Sequence, residues 1–143
     1  MTLLKSYYQL CKPNVVYMML ICAFVGMLLA EQTVSSYSYL FIALTGIALC
    51  AASAAAINQV VDREADASMT RTDQRPLPKG DLSVMHASIF AFVIGLLGSM
   101  ILYLYVNTLT MILTIGSLIG YAFIYTVYLK RATPQNIVIG GLA

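Results

Sequence analysis

Three oxygen-bearing side chains, Asn58, Asp62 and Asp66, recur every four residues at the end of a long apolar run. On a continuous helix that spacing drifts by only about 40° per step, so the three form one polar stripe about 12 Å long. Carboxylates stacked on one helical face repel each other, and ionisable groups near membrane depth are expensive, so positive charge is expected between them. With oxygen donors and no His or Cys nearby, the stripe suits Mg²⁺, which binds through one or two carboxylates, several waters and substrate phosphates. Arg71, Arg75 and Lys79 follow at the same four-residue interval. Guanidinium forks grip phosphate oxygens bidentately, so the pattern reads as a diphosphate clamp, with carboxylates on a helix and cations on a loop. Pro76, Pro78 and Gly80 make a single helix through that loop unlikely, and its three cations are not assigned to one face.

A second reading stays open on composition alone. The segment 62–81 would then be a solvated connection rich in Arg and Lys because it faces the cytoplasm. The position of Asn58 and Asp62 inside the end of an apolar span favours the clamp. No EF-hand, Walker A, dinucleotide-binding or nucleophile-elbow pattern occurs.

The elements that must hold these residues are membrane helices. Of 143 residues, 60% are hydrophobic and 10% charged, against about 45–50% and about 25% in a typical soluble domain. The expected fold is all-α, a polytopic bundle with spans near 14–30, 39–61, 84–105 and 108–129, each close to the roughly 20 residues a bilayer crossing needs. A new apolar run, 137–143, reads as the start of a fifth span. The first span reads as a retained helix, because it has no small-residue cleavage site, and Pro13 suits its first turn.

All eight basic residues, Lys5, Lys12, Arg63, Arg71, Arg75, Lys79, Lys130 and Arg131, fall before span one, after span two or after span four. The positive-inside rule then puts the N-terminus and the loop 62–82 in the cytoplasm. Tyr7, Tyr8, Tyr37, Tyr39, Tyr103, Tyr105 and Tyr128 sit near helix ends, as interfacial aromatics do. Small residues at 50–56, the pair Gly95 and Ser99, and a GxxxG at Gly116 and Gly120 are expected helix-packing surfaces.

Cys11, Cys22 and Cys50 show neither metal nor disulfide spacing and read as apolar packing. The net charge of +2 is too small to suggest a nucleic-acid partner. His86, the single histidine, reads as an interfacial residue rather than a haem ligand. Tyr121, Tyr125 and Tyr128 share a helical face, most simply explained by interfacial packing. A small cation-transporting membrane protein is a rival from another class, opposed by the clustering of the acids at one mouth. A non-catalytic assembly factor is another.

At these residues the sequence resembles the UbiA superfamily of intramembrane prenyltransferases, whose first aspartate-rich motif is N-x-x-x-D-x-x-x-D followed by R-T-x-x-R-P-L-x-x-G. Asn58, Asp62, Asp66 and the run from Arg71 to Gly80 match it position by position. Gln59 after Asn58 resembles the protohaem IX farnesyltransferase branch, as do the stretches 8–16 and 130–141. The resemblance implies transfer of the farnesyl group of farnesyl diphosphate to the vinyl group of haem B, giving haem O. It implies that Mg²⁺ is held by Asp62 and Asp66 with help from Asn58, and that Arg71, Arg75 and Lys79 stabilise the departing diphosphate. A bacterial inner membrane follows from it, with haem A synthase or haem-copper oxidase assembly proteins as further partners. A sister enzyme with an aromatic or quinone acceptor is the nearest alternative. Members of the superfamily resemble bundles of about nine spans with a second aspartate-rich motif. The 143 residues contain neither, so a single incomplete transmembrane domain, inactive alone, is expected.

Overall fold

A computed structural model describes residues 3–30, 37–70 and 72–129. Five α-helices follow in order: α1 (Leu3–Leu10), α2 (Pro13–Ala30), α3 (Tyr37–Ala67), α4 (Val84–Tyr105) and α5 (Thr108–Ile119), the last running on as a π-helix, Gly120–Leu129. No strand occurs among the described residues. Three helices, α2, α3 and α4, are long and apolar enough to cross a membrane. The bundle is all-α, and the protein is an integral membrane protein.

Helix α3 is the axis on which the others pack. At 31 residues it is about 46 Å long, well beyond the roughly 30 Å hydrocarbon layer. Its excess length carries Asn58, Asp62 and Asp66 past the apolar core, as the polar stripe requires. Half of its most apolar stretch is buried, against 6% for α2, where Val16 is the one buried residue.

The α3–α4 seam is built from missing side chains. A Cβ on Gly98 would lie 2.8 Å from the Gly46 carbonyl oxygen and 2.9 Å from Leu49 Cβ, and one on Gly95 would lie 2.7 Å from Ser53 Oγ. Backbone contact this close lets Ser53 Oγ donate to the Ala91 carbonyl at 2.7 Å, an interhelical hydrogen bond across the seam. The expected small-residue surface at 50–56 is therefore a real interface. Gly116, by contrast, has open space around its α-carbon among the described residues, so the GxxxG of the fourth segment makes no such contact there.

Helix boundaries follow local chemistry. Pro13 opens α2, where its missing N–H is an orphan in any case. Ser83 caps α4, accepting from the His86 N–H at 3.2 Å, while its hydroxyl meets His86 Nδ1 at 2.8 Å. The exposed histidine thus belongs to a helix cap, with no role near the polar stripe. Asn107 turns the chain between α4 and α5 by accepting from Thr110 N at 2.7 Å. Its amide also donates to the Tyr39 hydroxyl at 3.5 Å, so this turn and the start of α3 share one end of the bundle.

Two elements differ from expectation. The short α1 precedes the first span as a separate helix, seated through Leu10 in an apolar cluster with Ala56, Leu77, Leu82, Ala87 and Ala91. The fourth span, expected as one α-helix over 108–129, is α-helical only to Ile119. Its second half has the wider i→i+5 geometry, rare at ten residues. The start of the fifth span, with Lys130 and Arg131, lies outside the described residues.

Candidate functional site

Asn58, Asp62 and Asp66 each have 4% of their surface exposed, although carboxylates are almost never buried without partners. The partners come from three other parts of the chain. Asn58 is the junction: its Nδ2 donates to Asp62 Oδ2 at 3.1 Å and to Thr126 Oγ1 of the π-helix at 3.0 Å, and its Oδ1 accepts from Lys12 Nζ. Thr126 is itself fully buried and donates to the Tyr121 carbonyl at 2.8 Å, an i→i−5 contact that the π geometry makes available. One turn further along α3, Asp66 Oδ2 receives Arg75 Nη1 at 2.5 Å.

The loop residues 72–83 pack onto this end of the bundle instead of lying in solvent. Thr72, Pro76 and Leu77 are buried. Thr72 Oγ1 donates to the Asp66 carbonyl at 2.9 Å, closing the C-terminus of α3, and the Thr72 and Asp73 amides both donate to the Met69 carbonyl at 3.0 Å. Gly80 adopts φ +81 to complete a turn in which its N–H reaches the Leu77 carbonyl at 3.1 Å. That left-handed conformation suits glycine because it has no Cβ. A solvated connection needs none of this, and the folded loop is what delivers Arg75 to Asp66.

Among the residues expected to act, the structure brings together Asn58, Asp62, Asp66 and Arg75. Lys79 lies one turn beyond Arg75, its N–H bonded to the Arg75 carbonyl at 3.0 Å and its side chain exposed. Arg71 lies outside the described residues. Sequence reasoning missed Lys12, Gln59 and Thr126. Gln59, 1% exposed, donates to the Gln9 and Leu10 carbonyls at 3.1 and 3.0 Å, tying down the last turn of α1. The sequence signals for Lys12 are its place before Pro13, at a helix break, and its position within the stretch 8–16.

An apolar cavity of about 290 Å³ lies beside this cluster, between α2, α3 and α5. It is lined by Cys50 and Ala54 of α3, Val15 and Met19 of α2, and Tyr121. Cys50, Ala54, Asn58, Asp62 and Asp66 are successive members of one i+4 row, so a single helical ridge passes from the cavity into the buried carboxylates. Tyr121 lies within electrostatic reach of both Asp62 and Arg75 and stacks on Tyr125, ring centroids 5.6 Å apart at 9°. The side chain of Tyr128 lies outside the described residues. The arrangement offers apolar volume ending in a polar cluster, which suits a ligand with a long apolar tail and a charged head.

Among the described residues no three His, Cys, Asp or Glu side chains converge on a metal position. The donor set is two buried carboxylates and one amide oxygen on one ridge, which fits a hard cation that takes its remaining ligands from phosphate and water.

The family model for the UbiA prenyltransferase family matches residues 19–143. Over 139 residues, 97% of the chain, it is 56% identical to protoheme IX farnesyltransferase 2 of Pseudoalteromonas atlantica and 55% identical to the protoheme IX farnesyltransferases of Shewanella oneidensis and Vibrio vulnificus. The chain spans about half the length of these relatives, 46% in each case. No solved structure matches it. With the family model covering most of its length and the aspartate ridge buried where a membrane helix emerges beside an apolar cavity, the chain belongs to the UbiA prenyltransferase family.

Proposed function

We propose that these residues form the first half of an intramembrane prenyltransferase that moves the farnesyl group of farnesyl diphosphate to haem B, giving haem O. The observation that carries the reading is the ridge on α3 that joins an apolar cavity to two buried carboxylates, one paired with Arg75 and the other bonded to the Asn58 amide. The names of the relatives favour haem as acceptor over an aromatic or quinone ring, and the family favours a transferase over a cation transporter. On this reading the chain is one incomplete domain, its loop 62–82 faces the cytoplasm of a bacterial inner membrane, and it is inactive by itself. Haem A synthase or haem-copper oxidase assembly proteins are partners of the whole enzyme.

The chemistry divides among named side chains. Asp62 and Asp66, with the Asn58 amide oxygen, would hold Mg²⁺, which when bound neutralises the leaving diphosphate. Arg75 donates to diphosphate oxygens as negative charge develops on them, with Arg71 and Lys79 adding cationic donors from the same loop. The C1–O bond of the farnesyl group breaks, and C1 bonds to the terminal vinyl carbon of haem B. Water then supplies the hydroxyl on the adjacent carbon and releases a proton. The apolar walls near Ala54 and Tyr121 keep bulk water from the allylic centre.

The test is an assay of the complete natural polypeptide with haem B and farnesyl diphosphate, with and without Mg²⁺. Metal-dependent haem O, lost in Asp62→Ala, supports the reading. Prenylation of a quinone precursor with haem untouched would transfer the assignment to the sister reaction, and no prenyl transfer to either acceptor would overturn it.

A further inference from the structure

Lys12 stands where no loop cation was expected. It is the one non-glycine residue with positive φ among the described residues, at +48, a conformation that costs on the order of 1–3 kcal/mol and persists only when its surroundings impose it. Here the imposition is visible: Gln59 holds the Gln9 and Leu10 carbonyls, Lys12 N–H closes on the Gln9 carbonyl at 3.2 Å, and Pro13 begins the next helix. The result aims the Lys12 ammonium at Asn58 Oδ1, one amide away from Asp62. At the other end of the ridge Arg75 sits on Asp66. One cation of the chain thus pairs directly with Asp66, and a second reaches the Asp62 end of the ridge through the Asn58 amide.

We infer that Lys12 is an exchangeable counter-ion of this site: it neutralises the Asn58–Asp62 end of the ridge in the ligand-free protein and transfers to the diphosphate when a divalent cation takes the carboxylates. The inference rests on the diphosphate reading above and adds to it a residue from the break between α1 and α2. Its physical basis is the cost of leaving buried carboxylates without a positive partner. An ammonium on a flexible four-carbon stem can exchange one oxygen partner for another by rotating its own side chain, whereas the Arg75 fork is held in a folded loop. Once a divalent cation binds, the ammonium is repelled from Asn58, and the incoming diphosphate is the nearest anion. Lys12 is accordingly a positioning residue for the carboxylate end and a binding residue for the diphosphate.

The complete natural polypeptide, purified in detergent, gives opposite signs in two binding measurements. Removing the competing charge with Lys12→Met should tighten Mn²⁺, followed by electron paramagnetic resonance without diphosphate, by on the order of fivefold, and weaken inorganic pyrophosphate in the presence of Mn²⁺ by about tenfold. Lys12→Arg should keep both affinities near those of the unaltered protein. A purely structural lysine would weaken both probes or neither, and either result overturns the inference. Amine acylation of unaltered protein, read by mass spectrometry, gives an answer even if Lys12→Met fails to fold. Mn²⁺ alone should expose Lys12 to the reagent, and Mn²⁺ with pyrophosphate should protect it; unchanged reactivity would overturn the exchange. If unaltered protein binds neither probe, the diphosphate reading falls with it; if it binds both and Lys12 is indifferent, only the role of Lys12 falls.

Discussion

The two ends of the α3 packing surface obey different rules. Along the α3–α4 seam, Gly46, Gly95, Gly98 and Ser53 let two backbones touch, and a neighbouring helix is all that is required. At the other end, Asn58, Asp62 and Asp66 need polar and charged partners, and those come from the break between α1 and α2, the loop and the π-helix, each folded in a way that local sequence alone would not produce. The seam holds the bundle together and tolerates chemical change poorly only where atoms collide. The polar end adds little to stability, because two charges taken out of water nearly cancel what they gain from each other. Its reason to exist lies in what it binds.

That contrast is broken most severely at Asp62. Asp62→Asn keeps the shape and an acceptor oxygen but removes the charge, and in the complete polypeptide it should lower kcat for prenyl transfer by about 10³-fold, the scale of losing one electrostatic group at a reacting centre. Thermal unfolding in detergent should stay close to that of the unaltered protein. Gly98→Ala should do the reverse, costing about 1–3 kcal/mol as the new methyl meets the Gly46 oxygen, while the activity of each folded molecule is retained. Arg75→Lys keeps the charge and loses the fork, so KM for the diphosphate substrate should rise about tenfold, measured by steady-state kinetics. The smallest effect belongs to Ser53→Ala, which loses one interhelical hydrogen bond worth about 0.6 kcal/mol. If Gly98→Ala abolished turnover without loss of stability, or if Asp62→Asn unfolded the protein, the division of labour would be wrong.

What the sequence made legible follows the same line. The seam was readable because small residues at helical spacing mean close approach wherever they fall on the contact face, and α4 was bounded correctly because its apolar run of about 20 residues stops at polar flanks, where the structure places the Ser83 and Asn107 caps. The polar stripe was readable because α3 is continuous, so a four-residue interval fixes a face. Gly116 has the right spacing for packing but lies off the contact face, which a motif cannot reveal. Helix α1 was hidden because eight residues with Lys5 among them look like the flank of a span. The π-helix was hidden because tyrosines at 121, 125 and 128 fit an α period equally well. The contact between Lys12 and Asn58 crosses 46 residues of sequence, and only the tertiary fold brings that pair together.

The central claim is that the apolar cavity and the buried carboxylates are one site, occupied by one ligand. Photolabelling the complete polypeptide with farnesyl diphosphate carrying a photoreactive group in its prenyl tail, followed by peptide mapping, tests it most directly. The account predicts labelling of the α3 wall around Cys50 and Ala54 and of Tyr121, competed by unlabelled farnesyl diphosphate and lost in Asp62→Asn. Labelling confined to the outward face of α2, indifferent to competitor and to Asp62, would contradict it.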